Sequence, residues 1–150
     1  MPVKAVVDTS VLVSAFLNPS GYPAQVVEAV RRGRFVLLMS PLLAEELYEV
    51  LARPRVLNAR KSQPSDTKRF VQDLLELTEV VEITSELHLC RDEEDDMVLE
   101  TALVGRATHL VSRDADIVRS QDLIRHLGDR GVRVTTVSQF LRELENADEP

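Results

Sequence analysis

Five short apolar runs recur along the chain, and longer segments with helical periodicity lie between most of them. The first run, residues 3–7, is rich in β-branched side chains, which is typical of a strand buried on both faces. The other runs are residues 35–39, 80–83, 108–112 and 132–135. Strands that alternate with helices predict an α/β fold, with a central, mostly parallel five-stranded sheet covered by helices on both sides.

The segments between the strands divide into predicted helices and predicted loops. Helices are predicted over residues 11–17, 23–32, 41–53, 70–77, 95–103 and 137–144. The polar residues 58–65 predict a loop, and residues 145–150 predict a frayed tail. Because no repeat or linker divides the chain, residues 1–150 are expected to form a single domain.

The composition excludes several classes of protein. A formal net charge of −7 argues against a basic protein that coats nucleic acid, although carboxylates gathered around metal ions also count as negative charge. The one cysteine, Cys90, cannot form an internal disulfide, which fits a cytoplasmic location. No apolar run approaches the roughly 18 residues of a membrane span, and no N-terminal stretch resembles a signal peptide. We therefore expect no membrane partner.

Two acidic residues follow predicted strands. Asp8 ends the first strand, and Asp114 comes shortly after the strand of residues 108–112. In a parallel sheet both positions lie at the carboxyl edge, where open α/β folds bind ligands. The alternative is that these side chains and that of Asp116 only cap helices and turns. The repeated order of strand, hydroxyl residue and carboxylate favours a shared site.

Helical periodicity selects one glutamate from the helix predicted over residues 41–53. The apolar stripe of that helix comprises Leu43, Leu47, Val50 and Leu51. Glu46 falls at the edge of the stripe, whereas Glu45 and Glu49 fall roughly opposite it. Glu46 is therefore predicted to face the boundary of the core, and the other two glutamates are predicted to face solvent.

The same argument singles out Asp95 within the acidic run of residues 91–96. Asp95 heads an apolar stripe formed by Val98, Leu99 and Ala102. An ionised carboxylate that faces the core is costly unless it meets a cation. Asp92 lies within reach of the same face and is a weaker candidate. The remaining acidic residues, which favour the helix dipole in any case, are predicted to face solvent: Glu93, Glu94 and Asp96.

Four carboxylates are therefore predicted to meet at one edge of the sheet: Asp8, Glu46, Asp95 and Asp114. Like charges at this distance repel one another, and a divalent cation would remove the conflict. Oxygen ligands with open water positions suit Mg²⁺ or Mn²⁺. Such an ion can activate water and neutralise a phosphate oxygen. The reaction class that this chemistry indicates is phosphodiester hydrolysis.

Four segments of the chain resemble motifs of the PIN domain family and occur in the family's order. They are VDTSVLVSA at residues 7–15, SPLLAEEL at residues 40–47, CRDEEDD at residues 90–96, and LVSRDAD at residues 110–116. The resemblance covers nearly the whole chain and is strongest to the VapC-like toxins of prokaryotic toxin–antitoxin systems. It implies a three-layer α/β/α fold with strand order 3-2-1-4-5, and a ribonuclease that depends on Mg²⁺ or Mn²⁺.

The resemblance also assigns roles to individual residues. The family's four acidic positions fall on Asp8, Glu46, Asp95 and Asp114, and an additional acidic position falls on Asp116. Ser10 and Ser112 stand where the family often has Asn and Thr, and both hydroxyls can still hydrogen-bond a carboxylate or a metal-bound water. Apart from the resemblance, Thr9 and Asp92 are predicted as further supporting residues, and Arg113, next to Asp114, is a candidate for a phosphate contact. The family further implies an RNA substrate, an antitoxin partner and a homodimer or higher oligomer.

Two other functions compete with a metal-dependent endoribonuclease. One is a catalytically weak or inactive PIN-like module that binds RNA or a protein partner. The intact set of four carboxylates argues against it, because a binding module has no need of them. The other is a phosphatase that forms an aspartyl-phosphate on small molecules. Such enzymes usually carry a second Asp two residues after the nucleophile, and Ser10 occupies that place.

Overall fold

The structure is a computed structural model that describes residues 2–148. All five strands are parallel and form one sheet in the order β3-β2-β1-β4-β5, flanked by helices. The strands are β1 (Lys4–Val7), β2 (Val36–Met39), β3 (Thr78–Val80), β4 (His109–Val111) and β5 (Arg133–Thr135). The predicted α/β/α fold and the strand order implied by the resemblance are both confirmed.

Nine helices are assigned within residues 2–148. They are α1 (Thr9–Leu17), α2 (Tyr22–Arg31), α3 (Pro41–Leu51), α4 (Pro54–Arg60), α5 (Pro64–Glu76), α6 (Glu93–Val104), α7 (Ala115–Val118), α8 (Gln121–Asp129) and α9 (Val137–Asp148). In this same part of the chain, no helix combines the length and apolarity that crossing a bilayer would need.

The central strand β1 explains why the sheet is buried. Ala5 and Val6 have no solvent exposure, and Val6 pairs with Leu38 of β2 on one side and with Leu110 of β4 on the other. Each of these strands reads as a continuous apolar run because helices cover both faces of a parallel sheet. The carboxyl end of β1 is therefore fixed between two neighbours, and Asp8 follows it directly.

Helix α3 begins where its sequence signals predict. The Ser40 hydroxyl accepts a hydrogen bond from the Leu43 backbone N–H at 3.3 Å, and Pro41 occupies the first helical position. Leu43, Leu47 and Leu51 are buried in the core. This single apolar stripe sets the rotation of the helix, and with it the direction of each of its glutamates.

Helix α6 lies close to the sheet because its last turn ends in Gly105. A Cβ atom at this position would lie 2.8 Å from Val81 Cγ2 and 3.0 Å from Leu38 Cδ1. Contacts this short are not tolerated in a packed interior, so only glycine fits. The close approach brings the whole of α6, and the acidic residues at its beginning, against the strands.

Four local predictions are wrong. Residues 58–60 belong to α4, which Pro54 begins and a left-handed Lys61 ends, so only residues 61–63 connect it to α5. Helices α7 and α8 were not predicted.

Strand β3 lies two residues earlier than predicted. The prediction was drawn toward Val81, which is buried but lies just beyond the paired segment. Residues 145–148 continue α9, and residues 149 and 150 of the predicted tail lie outside the described part.

Candidate metal centre

An open cleft of about 620 Å³ lies where β1 and β4 end. Its acidic lining residues are Asp8, Glu46, Asp92, Glu94, Asp95 and Asp114. The fold thus brings together the four carboxylates predicted from the sequence, which come from four separate segments. This is the edge of the sheet at which the chain order reverses around β1, the usual ligand site of doubly wound sheets.

Asp8 faces the cleft and does not cap α1. It stands at the N-cap position, but its side chain makes no capping hydrogen bond. Its Oδ2 atom instead accepts a hydrogen bond from the Ser112 hydroxyl at 2.8 Å. The Ser112 oxygen in turn accepts the Asp114 backbone N–H at 3.0 Å. Ser112 therefore joins the two strand ends and orients the Asp8 carboxylate.

Glu46 enters the cleft from α3. The Thr9 hydroxyl donates a hydrogen bond to Glu46 Oε2 at 3.3 Å, so the first residue of α1 contacts the middle of α3. Glu46 is half-buried, whereas Glu45 and Glu49 are exposed. This placement agrees with the helical phase deduced from the apolar stripe.

Asp95 and Asp92 occupy the first turn of α6. Asp95 is only 9% exposed and lines the cleft. Asp92 is the N-cap residue, and its carboxylate accepts the Glu94 backbone N–H at 2.9 Å. Asp92 therefore has a structural role in addition to its place in the cleft.

Asp114 and Asp116 have different positions. Asp114 lines the cleft and also caps α7 by accepting the Asp116 backbone N–H at 2.9 Å. Asp116 is exposed and lies in an adjoining depression, which also contains Asp95, Cys90 and Asp122. Asp116 acts on Asp95 through its charge and is not among the residues that line the main cleft.

Ser10, predicted as a supporting residue, and Arg113, predicted as a candidate phosphate contact, also line the cleft. Both side chains are exposed. Arg113 therefore offers a mobile positive charge beside the carboxylates of Asp8 and Asp114.

Two predictions within the acidic run are corrected. Asp96 was predicted to face solvent but is buried, and its Oδ1 atom accepts the backbone N–H groups of Leu89 and Cys90. Glu94 is exposed, as predicted, yet it lines the cleft and lies beside Glu46. Periodicity could not find either feature, because α6 is buried on more than one face and no single apolar stripe defines its outside.

Burial, together with the crowding of carboxylates, raises the pKa values of three cleft residues. Burial, with the charges of Asp114, Asp92 and Asp8, raises the pKa of Asp95 to about 7. Burial and the neighbouring Glu94 raise the pKa of Glu46 to about 7. Burial also raises the pKa of Asp8, although the Ser112 hydroxyl partly offsets this effect.

No lysine or arginine of residues 2–148 forms an ion pair with any of the six cleft carboxylates. Arg113 lines the cleft without pairing with any of these carboxylates, which outnumber it six to one, and a bound cation would relieve this excess of negative charge.

The donor atoms of the cleft fit a hydrated hard cation. Across the described residues, no three His, Cys, Asp or Glu side chains are arranged to enclose a metal ion by themselves. Mg²⁺ does not require such a cage, because it commonly binds one or two carboxylates and keeps several waters. The all-oxygen donor set suits Mg²⁺ or Mn²⁺, and it does not suit a closed structural zinc site.

The strand order and the carboxylate-lined cleft together define a doubly wound α/β protein with an acidic site at the switch point of its sheet. The chain belongs to the PIN domain family, whose model matches residues 4–116. An uncharacterized protein of the archaeon Methanocaldococcus jannaschii is 23% identical over 147 residues, covering 95% of this chain and 92% of that protein. PIN domains are typically nucleases and usually use divalent metal ions.

Substitutions of Glu45 and Glu46, which are neighbours on α3, test the rotation of this helix relative to the cleft. We expect Glu46→Gln to weaken Mn²⁺ binding by about tenfold or more, because it removes a carboxylate from the cleft. Glu45→Gln, one residue away on the exposed face, should change the affinity by less than about twofold, as surface substitutions usually do. Isothermal titration calorimetry on both variants measures the difference. Equal losses would show that α3 is rotated from the orientation described here.

Proposed function

We propose that this chain is a metal-dependent endoribonuclease that hydrolyses RNA phosphodiester bonds. The observation that carries the proposal is the meeting of Asp8, Glu46, Asp95 and Asp114 in one open cleft, where they outnumber the single arginine, Arg113, among its described lining residues. Membership of a family of nucleases supports the same reaction class. An open cleft suits cleavage within a strand, because the polymer can leave the site at both ends.

The chain's own residues prepare the site for this reaction. Mg²⁺ or Mn²⁺ would lie among Asp8, Glu46, Asp95 and Asp114, bound directly by one or two of these carboxylates and through its waters by the others, and Asp116 would add negative charge from the side. When bound, the ion supplies an activated water and neutralises a phosphate oxygen. Ser112 and Thr9 orient two of the carboxylates by donating hydrogen bonds.

We also propose a biological setting for the enzyme. The resemblance of its four motifs to VapC-like toxins supports a role as the toxin of a toxin–antitoxin pair, acting in the cytoplasm. An antitoxin protein would then be its inhibitory partner, and the active form would be a homodimer or higher oligomer. Co-purification with the product of a neighbouring reading frame, followed by loss of cleavage in the complex, would test this setting.

The function itself is tested with two substrates in parallel. The purified chain is incubated with an end-labelled single-stranded RNA and with p-nitrophenyl phosphate, each in Mn²⁺ and each in EDTA. Internal cleavage of the RNA in Mn²⁺ alone is the expected result. Hydrolysis of the small phosphoester alone would favour a phosphatase. RNA binding without cleavage in either condition would favour an inactive PIN-like module.

Calorimetry with Mn²⁺ adds a readout that does not depend on finding the correct RNA. The wild type is compared with a chain that carries both Asp8→Asn and Asp95→Asn. Loss of Mn²⁺ binding in the double variant, with circular dichroism unchanged, is expected if the ion lies among these carboxylates. The absence of binding to the wild type at millimolar Mn²⁺ would contradict the proposed metal dependence.

Arg113 is expected to contact a phosphate of the substrate. We expect Arg113→Ala to raise KM for RNA by roughly fivefold to tenfold, since a charge-assisted hydrogen bond is lost. The slope of log affinity against log salt concentration should fall by about 1. Arg119→Ala is the matched control, because Arg119 is equally exposed but lies outside the cleft. A salt slope unchanged by Arg113→Ala would exclude the phosphate contact.

A further inference from the structure

Two buried carboxylates on α6 hold the segment that leads into the cleft. Asp96 and Glu100 lie one helical turn apart, and they are 6% and 7% exposed. Asp96 Oδ1 accepts the backbone N–H groups of Leu89 and Cys90, each at 2.8 Å. Together with the bonds to Glu100, these contacts fix much of residues 84–90 against the helix.

Glu100 serves the beginning of this segment. Its Oε2 atom accepts the Thr84 backbone N–H at 2.6 Å, the Thr84 hydroxyl at 3.3 Å and the Ser85 N–H at 3.1 Å, and its Oε1 atom accepts the Leu87 N–H at 3.2 Å. Burial would raise the pKa of Glu100, but these backbone donors outweigh it and lower the pKa. A buried carboxylate with so many donors is fully satisfied without a cation.

Asp96 serves the end of the segment, next to the site. The bonds to Leu89 and Cys90 fix the backbone two residues before Asp92, which is the N-cap of α6. Asp95 lies in the same first turn, three residues after that cap. The course of residues 89–92 therefore determines how the first turn of α6 begins, and with it where two cleft carboxylates point.

We propose that Asp96 is a positioning residue for the metal centre, which acts by holding residues 89–92 so that the Asp92 and Asp95 carboxylates face the cleft. This inference rests on the proposed metal-dependent function. Removing the Asp96 acceptor would leave two backbone N–H groups without their partner, which is destabilising for each that stays buried. Residues 89–92 would then move away from α6, and the backbone that leads into the first turn of the helix would no longer be held in place.

The hydrogen-bond geometry provides a variant that keeps the contact and one that removes it. Both donors converge on the single Oδ1 atom of Asp96. The side-chain carbonyl of Asn can replace that atom, so Asp96→Asn keeps both backbone bonds while it removes the charge, which also acts on the Cys90 thiol. Asp96→Ala removes both bonds. Asp96→Ser, whose oxygen ends about one bond short of the donors, replaces the Ala variant if that chain does not fold.

Glu100→Gln is the matched control for loosening of the segment in general. Glu100 uses both carboxylate oxygens, so an amide leaves one backbone donor facing an NH₂ group. The substitution should lower the melting temperature. It should not change Mn²⁺ affinity, because Glu100 holds residues 84–87 and not the entry to α6.

The experiment measures Mn²⁺ affinity by calorimetry and melting temperature by circular dichroism on the folded, full-length chains. We expect Asp96→Ala to weaken Mn²⁺ binding by about tenfold or more, as loss of an outer-shell contact does. Asp96→Asn should stay within about threefold of the wild type, since it keeps both backbone hydrogen bonds that hold the segment. Glu100→Gln should match the wild type.

Three results would overturn the inference. The first is unchanged Mn²⁺ affinity in a folded Asp96→Ala or Asp96→Ser chain. The second is a tenfold loss in Asp96→Asn, because charge and not positioning would then be responsible. The third is an equal loss in Glu100→Gln, which would show general loosening of the segment. Failure of the wild type itself to bind Mn²⁺ would instead overturn the proposed function, and this inference with it.

Discussion

Asp8→Asn is expected to abolish RNA cleavage while leaving the fold intact. Asn has the shape of Asp, and its carbonyl oxygen can still accept the Ser112 hydroxyl that bonds Asp8 at 2.8 Å. What is lost is the negative charge at the centre of the cleft, between the ends of β1 and β4. The rate should fall by more than about 100-fold, the upper end of the range for residues that only support a metal ligand.

Asp73→Asn is a suitable control for this substitution. Asp73 is an exposed residue of α5 and lies outside the cleft, so its amide variant should cleave RNA at the wild-type rate. Circular dichroism and melting temperature establish that both variants are folded. Cleavage at the wild-type rate by Asp8→Asn would remove Asp8 from the active site and place the centre of the reaction elsewhere.

The second large effect is a loss of stability with rising pH in the absence of metal. The pKa values of Asp95 and Glu46 are raised to about 7 from ordinary values of 3.8 and 4.5. The folded state therefore holds protons that the unfolded state releases, and the stability from these two groups is fully present below about pH 4. It declines as the pH rises from about 4 to about 7, and it is absent at pH 8.

Thermal melts in EDTA between pH 4 and pH 8 measure this decline. Asp95→Asn carries no titrating group at that position and serves as the reference, because the carboxylates outside the cleft titrate alike in both proteins. The wild type should lose about 2 kcal/mol relative to the variant across this range, after allowance for solvent screening. Millimolar Mn²⁺ should restore the wild type at pH 8 and leave the variant nearly unchanged. A pH-independent difference between the two proteins would contradict the crowding of charges in the cleft.

Most parts of the fold that the sequence predicted share one property, the burial of several apolar side chains. Each strand of the sheet's interior is an apolar run because both of its faces are covered, and α3 has one stripe that fixes its rotation. The elements that were missed lack this signal. Within α4 no residue is fully buried, and α7 and α8 each bury one, Ile117 and Leu127 respectively.

The candidate site shows the same limit. Asp8 and Asp114 could be predicted because they follow apolar strands. Glu46 could be predicted because the single apolar stripe of α3 sets the rotation of the helix. The direction of Asp96 could not be predicted, because it depends on residues 84–90 folding back over α6. The second buried side of α6 results from contacts with segments that lie elsewhere in the sequence. Local periodicity does not contain this information.

The central place of the first strand has a consequence for when the cleft can exist. β1 is made first, yet it lies in the middle of the sheet, and the bond between Asp8 and Ser112 joins residues 104 positions apart. Contacts between such distant residues form late in folding. A growing chain that has not yet exposed β4 carries Asp8 and Glu46 but has no partner for Asp8 and no cleft. The proposed nuclease therefore cannot complete its cleft until β4 has joined the sheet.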